Sequence, residues 1–319
     1  FTLETDVIFR GSIMLTDPTM EALAAQLEAS GDYRVLRRLQ VPAGGFVPMP
    51  HMKRAVFLDV ETTGLDPNVD EIIELAMVPF WYEDSGRIAG VGIGRSALRQ
   101  PQKPIPAEVT QLTGITPDMV AGKTIDFAAA AQFAGDSLIV AHNAGFDRRF
   151  VERFCPQLAN NRWACSFSEI PWAAHGFESA KLSLIGQAHG FYYDGHRAVN
   201  DCYAGIEILS RGVPVGGTES AMKVLLSSTN SRSWRCWAEG APFEKKDLLK
   251  GRGYRWADGS DGGPKAWWID LDEAGFHPEM AFLRSDVYGW SAQIRICELN
   301  ALNRYSDRLH TIPYAIPAN

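Results

Sequence analysis

What the chain lacks narrows its class before any motif is read. No apolar run approaches the ~18 residues of a membrane span, and there is neither an internal repeat nor a low-complexity block. Cysteine is sparse: Cys155, Cys165, Cys202, Cys236 and Cys297 are dispersed, odd in number and without a C-x-x-C pair. Such a set builds neither a disulfide framework nor a zinc knuckle, and it points to a reducing, cytoplasmic setting with no membrane partner. Phe1 to Arg10 hold no basic stretch followed by an apolar core, so no secretory signal is expected. G-x-S-x-G, Walker A and H-E-x-x-H are all missing, which leaves serine-hydrolase, P-loop and zincin chemistry without an anchor. The glycine-rich run Gly90-Val91-Gly92-Ile93-Gly94 lacks the spacing of a dinucleotide loop and is followed by no evident helix.

What remains is a globular composition, with 46% hydrophobic and 22% charged residues in 319. The net charge of −7 is unevenly spread, being −2 over residues 1–52, −5 over 53–212 and zero over 213–319. A broad basic tract for gripping duplex nucleic acid is therefore absent. Three segments follow from composition. Residues 1–52 form an N-terminal helical extension, with Met20, Leu23, Ala24 and Leu27 on one stripe after Thr16-Asp17-Pro18, and then a Pro/Gly-rich linker over 41–50. Residues 53–212 alternate strand and helix signals. Strands are expected at 55–60, 72–80, 88–93 and 137–141, with a hairpin turn at 83–86 and helices at 145–154 and 199–211. That pattern predicts an α/β domain with a mixed sheet. Residues 212–217 have the composition of a boundary, and a small Trp-rich α+β module with a C-terminal tail makes up residues 213–319.

Asp59 and Glu61 stand at i and i+2 of an otherwise apolar strand and therefore share a face. Two like charges side by side are costly to bury unless a cation neutralises them. His142-Asn143-Ala144-Gly145-Phe146-Asp147 follows another apolar strand, and His196-Arg197-Ala198-Val199-Asn200-Asp201 opens the last helix of the domain. Four hard oxygen donors without cysteine suit Mg²⁺ or Mn²⁺, and a pair of such ions is the usual device for attack on a phosphodiester. If these acids hold cations, the acidity of the segment does not exclude a phosphate substrate.

In the order, spacing and flanking residues of these three motifs, roughly residues 53–212 resemble the DEDDh branch of the DnaQ-like 3′→5′ exonucleases, the polymerase III epsilon-like exonuclease domains. The resemblance implies an RNase H-like mixed sheet flanked by helices. It implies Asp59, Glu61, Asp147 and Asp201 as ligands of two metal ions, and His196 as the general base. It also implies that Thr62, Thr63, Leu65, Thr113, His142, Asn143 and Phe146 meet the terminal nucleotide, with Gln111 to Thr116 lying against it. The expected activity is release of nucleoside 5′-monophosphates from nucleic-acid 3′ ends, single-stranded DNA first and short RNA as the alternative. An inactive nucleic-acid-binding module is the remote rival, disfavoured by the intact catalytic set. After residue 212 there is no clear Q-x-x-L-x-F-type clamp-binding peptide, so a free-standing enzyme is expected, and a homodimer is compatible with it.

The C-terminal region interleaves tryptophans (Trp234, Trp237, Trp256, Trp267, Trp268) with Arg and Lys between Arg232 and Trp268. A strand is expected at 233–238 and a short helix at 243–250, with strand-like runs on either side of the turn-rich 258–264. Two readings compete: a core for a small domain, and a stacking platform for single strands.

Overall fold

The computed structural model describes residues 17–41, 46–259 and 263–316. The reading of Phe1 to Arg10, residues 42–45 of the 41–50 linker and the middle of the 258–264 turn lie outside the described residues. The chain divides into two compact units, residues 1–228 and 229–319.

In the first unit, α1 (Pro18–Ala29) starts where Asp17 accepts the Thr19 amide hydrogen bond and Pro18 occupies the first turn. Its apolar stripe stays in solvent. The helix is held instead by Arg37, which bridges Glu21 and Glu28. β1 (Arg37–Arg38) is a short strand within the expected extension. It pairs in parallel with Phe191–Tyr192, and Arg38 forms an ion pair with Asp194 at 2.9 Å.

The central sheet follows. β2 (Lys53–Thr62), β3 (Ile72–Tyr82), β4 (Ile88–Val91) and β5 (Arg95–Leu98) precede α2 (Ala107–Thr113), α3 (Pro117–Val120) and α4 (Phe127–Ala134). Then come β6 (Leu138–Ala141), α5 (Ala144–Phe154), β7 (Trp163–Cys165), α6 (Leu182–Ala188), β8 (Phe191–Tyr192), α7 (Ala198–Ser210) and α8 (Ala221–Asn230). The order is β4-β3-β2-β6-β7, with β5 also on β3. Pairing is antiparallel among β2–β5 and parallel from β2 through β6 to β7, the mixed α/β sheet expected. β2 and β3 are apolar on both faces because helices cover both.

α7 lies directly on β2. A Cβ at Gly205 would stand 2.1 Å from the Phe57 ring, so only glycine permits this approach. The expected boundary near residue 212 falls later. Ala221, Met222 and Leu225 of α8 are buried in the same core as Phe57 and Ile206, so the linker-like glycines lead into another packed helix.

The second unit is a five-stranded antiparallel sheet of order β10-β11-β9-β12-β13. Its strands are β9 (Ser233–Ala238), β10 (Arg255–Trp256), β11 (Trp267–Asp272), β12 (Ala292–Leu299) and β13 (Ile312–Ile316), with α9 (Lys246–Gly251) and α10 (Glu273–Phe282). Residues expected to trail off as a tail therefore complete the sheet, with β12 between β9 and β13. The five cysteines are free and buried. No helix among the described residues is long and apolar enough to cross a membrane.

Candidate active site

The acids gather where β2 ends and two helices begin. Asp59 and Glu61 leave β2 on the side of Phe57, the side that α7 covers. Asp201 lies in the first turn of α7 and Asp147 in the first turn of α5. Helix N-termini carry partial positive charge, so both positions favour carboxylates. The β2–β3 ladder slips between Glu61 and Thr62, a bulge beside the acids of the kind that re-aims side chains.

Asp59, Glu61 and Asp201 each offer a carboxylate oxygen within 4.8 Å of the others. Asp147 stands beside them, almost fully buried, accepting a hydrogen bond from the Val60 amide at 3.2 Å. Burial, and then repulsion from Asp201, Glu74 and Asp147, pushes Glu61 up to about 8. Burial is also the main cause that holds Asp59, Asp147 and Asp201 above the usual carboxylate range, and like charges add to it at Asp59 and Asp147. The Tyr193 hydroxyl donates to Asp201 Oδ1 at 3.0 Å, whereas Asp201 Oδ2 is buried with no hydrogen-bond partner among the described residues. A buried cluster of three carboxylates, one of which keeps an orphaned oxygen, is a donor set that a hard divalent cation satisfies. The residues present therefore fit a divalent cation.

The remaining expected residues divide. His196 is exposed beside Asp201, with a left-handed φ of 61°. Leu65, Asn143 and Phe146 line one pocket of about 190 Å³, together with Pro67, Gly145 and Arg149. Leu65 is 84% exposed, an apolar side chain free to meet a ligand. Thr62 is buried, its hydroxyl donating to the Gly64 carbonyl at 2.6 Å. Thr63 donates to Asp70 and accepts from the Glu71 amide. Thr113 donates to the Val109 carbonyl and accepts from the Ile115 amide. These three hydroxyls close loops.

His142 also differs from expectation. Its Nε2 donates to the Ala180 carbonyl at 2.8 Å, and Nδ1 lies 2.9 Å from Ser166 Oγ. Burial pushes its pKa down to about 4, so the ring is neutral and both nitrogens are engaged within the protein. Two residues outside the motifs join the site. Tyr193 orients Asp201, and Glu74, directly opposite Glu61 in the β2–β3 ladder, is completely buried.

A mixed sheet with an acidic cluster at the mouth of β2 and two helix N-termini defines an α/β enzyme scaffold built for a hard cation. The profile of the Exonuclease family matches residues 56–209. The DNA polymerase III subunit epsilon of Aquifex aeolicus is 30% identical over 163 residues, covering 48% of this chain and 77% of the relative. This chain belongs to that exonuclease family, in its DnaQ-like, polymerase III epsilon-like group. The PolC-type DNA polymerase III of Thermotoga maritima is 39% identical over 171 residues, covering 50% of this chain. The matched segment spans only 12% of that relative's length. Among solved structures, Exonuclease X in complex with 5′ overhanging duplex DNA is 26% identical with a TM-score of 0.37, covering 47% of this chain and 85% of that one.

Proposed function

We propose that the chain is a metal-dependent 3′→5′ exonuclease that releases nucleoside 5′-monophosphates from DNA, with single strands as its substrate. The observation that carries this reading is the convergence of carboxylate oxygens of Asp59, Glu61 and Asp201 within 4.8 Å, one Asp201 oxygen being buried without a hydrogen-bond partner among the described residues, with Asp147 alongside. Asp59, Glu61, Asp147 and Asp201 would hold two Mg²⁺ or Mn²⁺ ions. When bound, such cations supply Lewis acidity to the attacking water and to the departing 3′-oxygen.

His196 takes the proton of the attacking water, a role suited to an imidazole near neutral pH. Its exposure leaves it free to approach a substrate. Leu65 and Phe146 pack against the terminal base, and Asn143 offers it a polar contact. His142, neutral and doubly hydrogen-bonded, holds the strand end that precedes Asn143. The polymerase subunit name of the Aquifex relative favours DNA over RNA. In the second unit, Trp256 provides a sequence-tolerant stacking surface for the strand.

Asp59→Ala and Asp201→Ala are each expected to abolish Mg²⁺-dependent hydrolysis of 5′-labelled oligonucleotides while leaving the circular dichroism spectrum unchanged. Removing either carboxylate also relieves repulsion within the cluster, so the fold does not suffer. A fully active Asp59→Ala enzyme would sink the reading. Parallel digestion of matched single-stranded DNA, duplex DNA and RNA checks the substrate.

A further inference from the structure

Glu74 belongs to none of the three motifs, yet it is 0% exposed and faces the acids. Like charges opposite each other across a ladder are unfavourable, so an acid opposite Glu61 needs a reason. A buried carboxylate persists only when paired and hydrogen-bonded. Ser96 Oγ donates to it at 2.6 Å, Arg197 through Nε at 3.3 Å and Nη2 at 3.4 Å, and the Ala198 amide at 3.4 Å.

Most of these donors open α7. The first amides of a helix have no intrahelical partner, and a side-chain oxygen at the N-cap normally receives one of them. α7 has Arg197 at that position, with no side-chain cap of its own. Glu74 supplies the missing acceptor from a different strand and places negative charge at the positive end of the helix. Arg197 is at the same time the counter-charge between Glu74 and Glu61. The residue immediately before it, His196, holds a positive φ that is uncommon outside glycine and persists where the surroundings fix it.

We infer that Glu74 is a positioning residue for the reaction. By clamping Arg197 and capping the Ala198 amide, it fixes the first turn of α7 and thereby seats His196 beside Asp201. The inference rests on the reading of His196 as the general base.

The test is a double-mutant cycle in the full chain, read as single-turnover rates with saturating Mg²⁺ on a 5′-labelled single strand. Glu74→Ala is expected to slow the rate about tenfold to a hundredfold, the scale of a small misplacement of a catalytic group. Glu74→Gln keeps an acceptor for the Ala198 amide and should recover most of that loss. In a His196→Ala background, Glu74→Ala should add almost nothing, because both changes remove the same contribution. Hydrogen exchange of the Ala198 amide, measured without metal, should quicken in Glu74→Ala and stay slow in Glu74→Gln.

Losses that simply add across the cycle, or a Glu74→Ala enzyme at the wild-type rate, would overturn the clamp. A fully active His196→Ala enzyme would overturn the general-base reading instead, and the clamp with it. If Glu74→Ala does not fold, Arg197→Ala removes the other half of the clamp, and the same cycle is read with it.

Discussion

At the scale of single residues, the proposed roles of His196 and the acids predict separable contributions. His196→Ala is expected to cost on the order of 10²–10⁴ in rate, the usual share of a general base. Calorimetry with Mn²⁺ should show near-normal binding, since no ring nitrogen is needed as a ligand. Lost metal affinity with retained turnover at saturating metal would show the histidine to be a ligand rather than a base. Asp59 and Glu61 could be read from the chain alone because two acids on one face of an apolar strand demand an explanation. Glu74 could not: a lone acid in Ile72-Ile73-Glu74-Leu75 has no periodic signal, and its donors lie 22 to 124 residues away. His142 has the converse history. Its motif suggested a substrate contact, while its two partners, 24 and 38 residues distant, hold it as an internal brace.

At the scale of elements, β2, β3, β6, α5 and α7 were legible because their apolar runs end in sharp chemical signals. β5 was not, hidden behind Gly90 to Gly94. α10 carries Gly275 and Pro278, both of which read as breakers, yet Asp272 caps it and Phe276 and Met280 bury one side. The tryptophans of the second unit resolve the two rival readings unequally. Trp237 is buried, and Trp234 and Trp267 pack on the core that holds Phe276 and Ile294. Trp268 lies beneath the Arg235 guanidinium at 3.9 Å. Only Trp256, on the edge strand β10, is mostly open among these five, at 52% exposure. A small sheet with two short helices needs most of its aromatics inside. Trp256→Ala in the full chain is therefore expected to raise KM several-fold for long single strands, in keeping with about 1–3 kcal/mol per stacked base. The kcat for a dinucleotide should not change. An unaltered KM for long strands would end the stacking role of β10.

At the scale of the whole molecule, the acidic cluster is expected to couple cation binding to stability. Without cations, Glu61 sits at about 8 and its three neighbours above the usual carboxylate range. A carboxylate whose pKa is higher folded than unfolded gives up its proton on unfolding. Its stabilising contribution is complete below the unfolded value of about 4 and is lost as pH rises through the folded value. The metal-free protein should accordingly be penalised towards pH 8, where bound cations relieve the repulsion. Saturating Mg²⁺ is expected to raise the Tm more at pH 8 than at pH 5.5 in thermal melts. Equal increments at both values would contradict this account.

The pairing of Arg37–Arg38 with Phe191–Tyr192 has a further consequence, for what counts as the enzyme. The Arg37 and Leu39 amides bond to the carbonyls of Gly190 and Tyr192 at 2.9 and 2.8 Å, just before the chain turns towards His196. The segment recognisable by descent, residues 56–209, is thus smaller than the segment that is mechanically whole. Grafting the recognisable part into another protein would transfer every acid and the histidine. It would leave behind the strand that pairs with the approach to that histidine, so the heritable module and the packed unit have different edges.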